Sequence, residues 1–504
     1  MSLFIKMPIS ELMAESADSE KGLKRTLTAG SLVALGIGAI IGAGLFVRTA
    51  AAVAQNAGPS VTLGFIVAAI GCALAGLCYA ELSSSIPISG SAYTYTYATM
   101  GEFMAWIIGW DLVLEYAVGA ATVGIAWSEY LNNLLVNVFH FNPIPYQWCH
   151  SPFEHSIDGI NGIMNLPAFG IIALLSLLLI KGTKESAFVN GLIVITKVSI
   201  VILIIVLGWG FINSANHTPY IPASSTYTDH QGIGHTYGGI MGILGAAGVV
   251  FFAFIGFDAV STAAQETKNP KKAMPIGILG SLAICTVLYI LFAHVLTGLA
   301  PVEFFRTTGK EASVAKAIET FMPGYSWLGK LVTVAILAGF SSVILVMLLG
   351  QSRVFFSMSR DGLVPKVFSD VHPKFKTPYK ANLIFLVVVG AFAAFIPGDI
   401  VGDMTSIGTL FAFMLVCVAV IILRKTDPGM PRAFKTPLVP FVPILGIVVC
   451  GAMIFGLGWT NWARLGGWLL IGFFIYFGYS RYHSKLRKGN LIIPKDPVDP
   501  LNPL

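Results

Sequence analysis

Between Ala29 and Arg481 the sequence repeats one feature: apolar runs of about 20 residues, each long enough to cross a lipid bilayer. Twelve such runs can be drawn, at about 29–50, 61–86, 103–137, 166–180, 190–212, 239–263, 276–300, 329–356, 381–397, 404–423, 440–458 and 463–481. The third is too long for one perpendicular crossing, so it is expected to tilt or to project from the membrane. The fourth and ninth are the shortest. Only 11% of the 504 residues are charged and the mean hydropathy is +0.78, whereas about a quarter of an ordinary soluble chain is charged. The loops are short, which leaves no room for a soluble catalytic domain. The expectation is an all-α integral membrane protein.

Charge sets the orientation. With the N-terminus inside, most of the 31 Lys and Arg fall in inside segments. These include Lys268, Lys271 and Lys272, the stretch from Arg353 to Lys380, and the cluster Arg481, Lys485, Arg487 and Lys488. Arg48, Arg306, Lys310, Lys316, Lys330 and Arg464 fall outside, and Lys197 lies within a run. The positive-inside rule then places both termini in the cytoplasm of a multi-pass protein of the cell (inner) membrane. In this setting the basic loops are no nucleic-acid surface. The first 25 residues lack the apolar core and cleavage site of a signal peptide and fit a short amphipathic segment on the membrane. The end, "IIPKDPVDPLNPL", is proline-rich.

Five of the six cysteines, Cys72, Cys78, Cys285, Cys417 and Cys450, lie in apolar runs. Cys149 lies in a loop. They read as small core residues, not as a disulfide framework or a metal site. The nine His show no ligand spacing, and His294, alone in the seventh run, reads as a core histidine. No phosphate loop or nucleophile motif is present. Enzyme activity, ATP-driven transport, cofactors and metals are therefore not expected.

The first run contains "GIGAIIGAGLFV", with four glycines in twelve residues. In lipid an unwound backbone is tolerated only where it meets protein or a water-filled cavity. Small residues also serve close helix packing, which is the alternative reading. The sixth run repeats the interruption: Gly256 sits in "FFAFIGFD" among Phe252, Phe254 and Phe257, with Asp258 following. Two glycine-interrupted helices five runs apart match a transporter built from inverted five-helix repeats. Accordingly, residues 1–28 form a cytoplasmic segment and 29–212 a first repeat of five helices. A second repeat follows at 239–423, two further helices at 440–481 and a cytoplasmic tail at 482–504. Half-helix N-termini attract an anion, and half-helix C-termini present carbonyls to a cation. A ligand with both charges, an α-amino acid, suits the pair.

The stretches "GLKRTLTAGSLVALGIGAIIGAGLFV", "YAELSSSIPISGSAYTYTYATMGE", "WIIGWDLVLEYAVGAATV", "FFAFIGFDAVSTAAQETKNPKKAMPIGI" and "VMLLGQSRVFFSMSRDGLVPKVFSDVHPKFKTP" occur in this order. In them the chain resembles the amino acid–polyamine–organocation superfamily, and within it the bacterial type of the cationic amino acid transporter family. The resemblance implies roles. The amides of Ala43 and Gly44, beside Gly42, would hold a substrate carboxylate. The carbonyls of Ile40, Phe252, Ala253 and Ile255, around Phe254 and Gly256, would hold its ammonium. The Phe252 ring would close over the ligand as a gate. Relatives often carry Ser or Thr where this chain has Ala43, so that hydroxyl contact is absent here.

An ionisable residue inside a span is a functional candidate. Lys197, in "LIVITKVSIVILII", has no acidic neighbour in sequence. It is either a structural tie to backbone carbonyls or a proton carrier. In sodium-coupled relatives of this architecture an ion sits where a span-5 ammonium would bring its own charge, so the resemblance implies proton coupling through Lys197. Asp111 and Glu115 share one helical face. Glu115 would line the substrate side-chain pocket or join Lys197, and Asp111 reads as structural. Asp258 would support the unwound segment by accepting backbone N–H bonds. Glu81 reads as part of an inner gate or a loop anchor. The expected partners are an amino acid, protons and membrane lipids. The expected activity is proton-coupled import by alternating access, with an amino acid/amine exchanger, an amino acid sensor without transport and a channel as rivals. Substrates are cationic or small neutral amino acids.

Overall fold

The computed structural model describes residues 3–9, 27–42, 44–88, 90–156, 159–181, 186–228, 234–264, 267–308, 313–375 and 377–489. Most of the expected N-terminal segment and the proline-rich end lie outside these residues.

The described chain is built almost wholly of helices. In order, the main ones are α1 (Ala29–Ile40), α2 (Val61–Ser85), α3 (Ser91–Thr99) and α4, which runs Glu102–Val113, through a π-helical turn at Leu114–Val118, into Gly119–Asn137. Then come α5 (Leu166–Lys181), α6 (Ser186–Gly208), α7 (Gly239–Phe251), α8 (Pro270–Leu299), α9 (Ser326–Arg360), α10 (Tyr379–Phe395), α11 (Gly398–Thr426), α12 (Phe441–Gly456) and α13 (Trp459–Ile475). One correction concerns the all-helical expectation. The loop before α7 forms an antiparallel hairpin, β1 (Ser225–Thr228) on β2 (Gly234–Tyr237). Its strands are largely exposed, as open edges must be when water and not lipid satisfies their backbone groups.

Among the described residues, seven helical stretches are long and apolar enough to cross a membrane, or eight if α12 and α13, bent by 110° at the break between them, form one span. α1, α5 and α10 are apolar but shorter. The chain is therefore a multi-pass membrane protein. The first apolar run is not one helix: α1 stops at Ile40, and helical structure resumes at Gly44 as a π turn, Gly44–Arg48. Local chemistry sets several ends. The Thr28 hydroxyl caps α1 by accepting the Ser31 N–H at 3.3 Å. Asn165 does the same for α5 through the Ala168 N–H at 3.1 Å. Pro270 opens α8 at a position where a missing N–H costs nothing.

The core is aromatic where α2, α8, α11 and the segment after α7 meet. Phe65 packs on Tyr289 at 5.7 Å, Tyr79 on Phe257 at 5.8 Å, and Phe257 on Phe413 at 4.9 Å between ring centroids. Cys149 is buried although it lies in a loop, and all six cysteines are free thiols. Two buried carboxylates tie helix ends together. Glu102, at the start of α4, is fully buried and accepts from Tyr97, Tyr476, Ser484 and Arg487. Glu81 near the end of α2 is also fully buried, takes a forked bond from Arg424 at 2.8 and 2.9 Å, and lies 3.1 Å from Arg432. It also accepts the Thr436 N–H at 2.7 Å. Of its two expected roles, the geometry is that of a loop anchor, fastening the α11–α12 connection to α2.

Glu81→Ala leaves the Arg432 side chain, 2% exposed, without its carboxylate. Removing one partner of a buried ion pair costs about 3–5 kcal/mol. The variant is expected to melt well below the wild type in detergent. An unchanged melting temperature would contradict the anchor.

Candidate functional site

The last turn of any helix leaves carbonyls without intrahelical partners. α1 ends inside the protein, so its orphans need partners there. Ile41 is extended (ψ 102°), which takes the chain off the helical path before Gly44. Ala43 lies outside the described residues. The second break follows α7: one 3₁₀ turn, Phe252–Phe254, then extended Ile255 (ψ 135°), then Gly256 at φ +110°. That φ is open to glycine and strained for other residues. Helix resumes at Ala259–Thr262.

The two breaks pack across one another. A Cβ on Gly44 would stand 2.2 Å from Cα of Ala253, and one on Gly256 would stand 2.9 Å from Cβ of Ala39. Two side chains serve the orphan carbonyls. Lys197 of α6, 2% exposed, donates to Gly38 O and Ile41 O at 2.8 Å each and to Ser342 Oγ of α9 at 3.0 Å. An ammonium has three donors, and all three are used. Its charge sits against the negative end of α1. The Tyr289 hydroxyl of α8 lies 2.9 Å from both Ile40 O and Ala253 O, one carbonyl from each break. With a single proton, it donates to one of them at a time.

The residues singled out in the sequence are thus brought together around the crossing: Ile40, Gly42 and Gly44 from the first break, and Phe252, Ala253, Phe254, Ile255 and Gly256 from the second. Phe252 O accepts the Ile255 N–H at 3.3 Å. Phe254 is fully buried and packs against Phe65 (6.2 Å) and Tyr289 (5.3 Å). Asp258 takes the Tyr116 hydroxyl on Oδ2 at 2.6 Å, and no capping bond from its side chain closes on the short helix that follows. The backbone N–H groups of Asp258 and Ala259 also act on its carboxyl. Glu115 stands beside Asp258, and the three hydrogen bonds of Lys197 go elsewhere. Asp111 is fully buried, with neither carboxyl oxygen hydrogen-bonded.

Sequence reasoning missed Tyr289, Ser342 and Tyr116. Nothing in "CTVLYILFAH" or "GFSSVIL" separates a partner of a broken helix from an ordinary core residue. Arg48 counted only as an outside charge. It is 6% exposed and ion-paired to Asp403 at 2.6 Å, which fastens the second half of the first broken helix to α11. Beyond the second break, Ser261 donates to Ser91 of α3 at 2.8 Å.

The crossing offers carbonyl ends to a cation and helix starts to an anion. Residues 27–477 match the family model described as amino acid permease. The chain is 44% identical over 487 residues to a branched-chain amino acid permease of Bacillus subtilis, covering 97% of this chain and 99% of that one. It is 40% identical to a methylthioribose transporter of the same organism, covering 97% of this chain and 100% of that one. It is 32% identical over 438 residues to cationic amino acid transporter 4 of Mus musculus, covering 84% of this chain and 64% of that one.

Gly44→Ala forces a methyl group into backbone that has no rotamer with which to move aside. Overpacking of this kind costs about 1–3 kcal/mol. The purified variant should melt below the wild type. A variant that melts with the wild type would show that the two breaks are not in contact.

Proposed function

The chain belongs to the amino acid permease family, and on that premise we propose that it imports amino acids by alternating access, coupled to protons. The observation that carries the reading is the pair of broken helices crossing at Gly44 and Ala253. The amides at Ala43 and Gly44 hold the α-carboxylate. The carbonyls of Ile40, Phe252, Ala253 and Ile255 receive the α-ammonium, which has the three donors that the Tyr289 hydroxyl lacks. Phe252 closes over the ligand. Twelve spans in a 5+5 inverted arrangement, with both ends cytoplasmic in the inner membrane, accommodate the motion: the two broken helices rock against the remaining helices.

Recognition through backbone groups leaves the side chain of the substrate to the surrounding pocket. The relatives named for branched-chain and for cationic amino acids are consistent with one shared zwitterion site and different side-chain pockets. The methylthioribose relative marks the limit of this reading, since its substrate carries neither an ammonium nor a carboxylate.

Lys197 links protonation to the first break. As an ammonium it satisfies Gly38 O, Ile41 O and Ser342 Oγ together; as an amine it has only two protons to give. Loss of a proton therefore frees the end of α1, and movement of α1 favours that loss. The test is uptake of alanine, valine and lysine into proteoliposomes across a range of outside pH at fixed inside pH. Wild-type uptake is expected to rise with an inward proton gradient. Lys197→Ala should lose that rise while retaining substrate binding by thermal shift. An unaltered rise in Lys197→Ala would remove the residue from coupling, and a wild type indifferent to the gradient would favour exchange.

A further inference from the structure

The π-helical turn Leu114–Val118 presents Glu115 and Tyr116 to the restart of the second broken helix. Such turns interrupt the regular ladder and are frequent at functional positions. Glu115 and Asp258 are both fully buried. Asp258 Oδ2 is held by the Tyr116 hydroxyl, and the Glu115 carboxyl stands at hydrogen-bonding range of the Asp258 carboxyl. Among the described residues, neither oxygen of Glu115 meets any other donor, and the Asp258 carboxyl meets besides only the N–H groups of its own turn, at Asp258 and Ala259.

The surroundings supply no cation. Tyr79 and Cys72 face the pair from α2, Tyr95 from α3, and Asp111 from the preceding turn of α4. The Tyr79 hydroxyl is itself fully buried, without a hydrogen-bond partner, and within electrostatic range of both carboxyls. Two carboxylates facing each other in a buried site repel strongly, and a single proton between them turns one into a donor and the other into an acceptor.

We propose that Glu115 and Asp258 share one transferable proton, and that this proton crosses the membrane with the substrate. The proposal rests on the proton-coupled reading above and names the second place where the cargo proton is held. Glu115 belongs to α4 and Asp258 to the moving half of the second broken helix. In the packed arrangement the protonated carboxyl donates to the other, which also takes the Tyr116 hydroxyl. When the broken helix swings from α4 the shared O–H···O bond is lost. Water entering from the cytoplasm takes the proton, and two carboxylates remain. Restoring the packed arrangement requires one proton to be bound again, and the outside medium supplies it.

The experiment compares wild type, Glu115→Gln, Asp258→Asn and Asp111→Asn in proteoliposomes. Uptake of alanine is measured with and without an inward proton gradient, alongside alanine-for-alanine exchange. Infrared spectra of the same proteins report the protonated carboxyl. Wild type should be stimulated by the gradient and show a carboxylic acid band. Glu115→Gln and Asp258→Asn should keep exchange, lose gradient stimulation down to the gradient-free rate, and each alter the band of the shared proton. Asp111→Asn should keep it. If both pair variants prove inactive in exchange, the infrared arm decides: a spectrum unaltered in both, or altered only in Asp111→Asn, overturns the proposal. Gradient stimulation equal to wild type in Glu115→Gln overturns the pair while leaving proton coupling intact. A wild type without stimulation overturns both. A loss confined to lysine and arginine uptake, with alanine stimulation intact, overturns the proposal in favour of a pocket for cationic side chains.

Discussion

Backbone hydrogen bonding in lipid governs this structure. A helix that stops inside a membrane protein strands several carbonyls and N–H groups where water cannot reach them, and each stranded group costs several kcal/mol. α1 stops at Ile40, and the helix after α7 stops at Phe254. The surrounding arrangement follows from satisfying those ends. Lys197 reaches from α6 because Gly38 O and Ile41 O need donors, and Ser342 on α9 accepts its third proton. Tyr289 on α8 lies between Ile40 O and Ala253 O for the same reason. The breaks touch through Gly44 and Gly256, where a side chain would collide with Ala253 or Ala39.

The ties differ in kind, and the difference matters for motion. Lys197 brings a full charge and three donors, so it holds the end of α1 firmly in one protonation state. Tyr289 brings one proton for two carbonyls, so one of the two is under-served at any moment. Beyond the first break, Arg48 is bound to Asp403; beyond the second, Ser261 meets Ser91. An ion pair and a neutral hydroxyl contact are unequal closures, and the neutral one is the easier to exchange for water.

Much of this was legible in the sequence because it rests on residue types that lipid rarely accepts without reason. Gly36 to Gly44 and Gly256 marked both breaks, and Lys197, Glu115 and Asp258 stood out as charges in apolar runs. The hairpin before α7 was not legible, because a short run such as Ser225–Thr228 carries no periodic signal against a loop. Nor were Tyr289 and Ser342, because a hydroxyl in an apolar helix looks the same whether it bonds its own turn or a broken neighbour. The pairing of Glu115 with Asp258 was hidden for another reason: they are far apart in sequence, and only the crossing of the helices brings them face to face. Spacing along one helix placed Glu115 with Asp111, which is near it but shares no hydrogen bond.

The central claim is that the two broken helices recognise the α-ammonium and α-carboxylate of one ligand through backbone groups. The most direct test is a thermal-shift titration with an amino acid that stabilises the protein, its methyl ester, its N-acetyl derivative and its decarboxylated amine. The account requires stabilisation by the free amino acid and its loss in all three derivatives, because each lacks one charged group. Equal stabilisation by the ester or the amine, or stabilisation by methylthioribose in the absence of any response to amino acids, would contradict it.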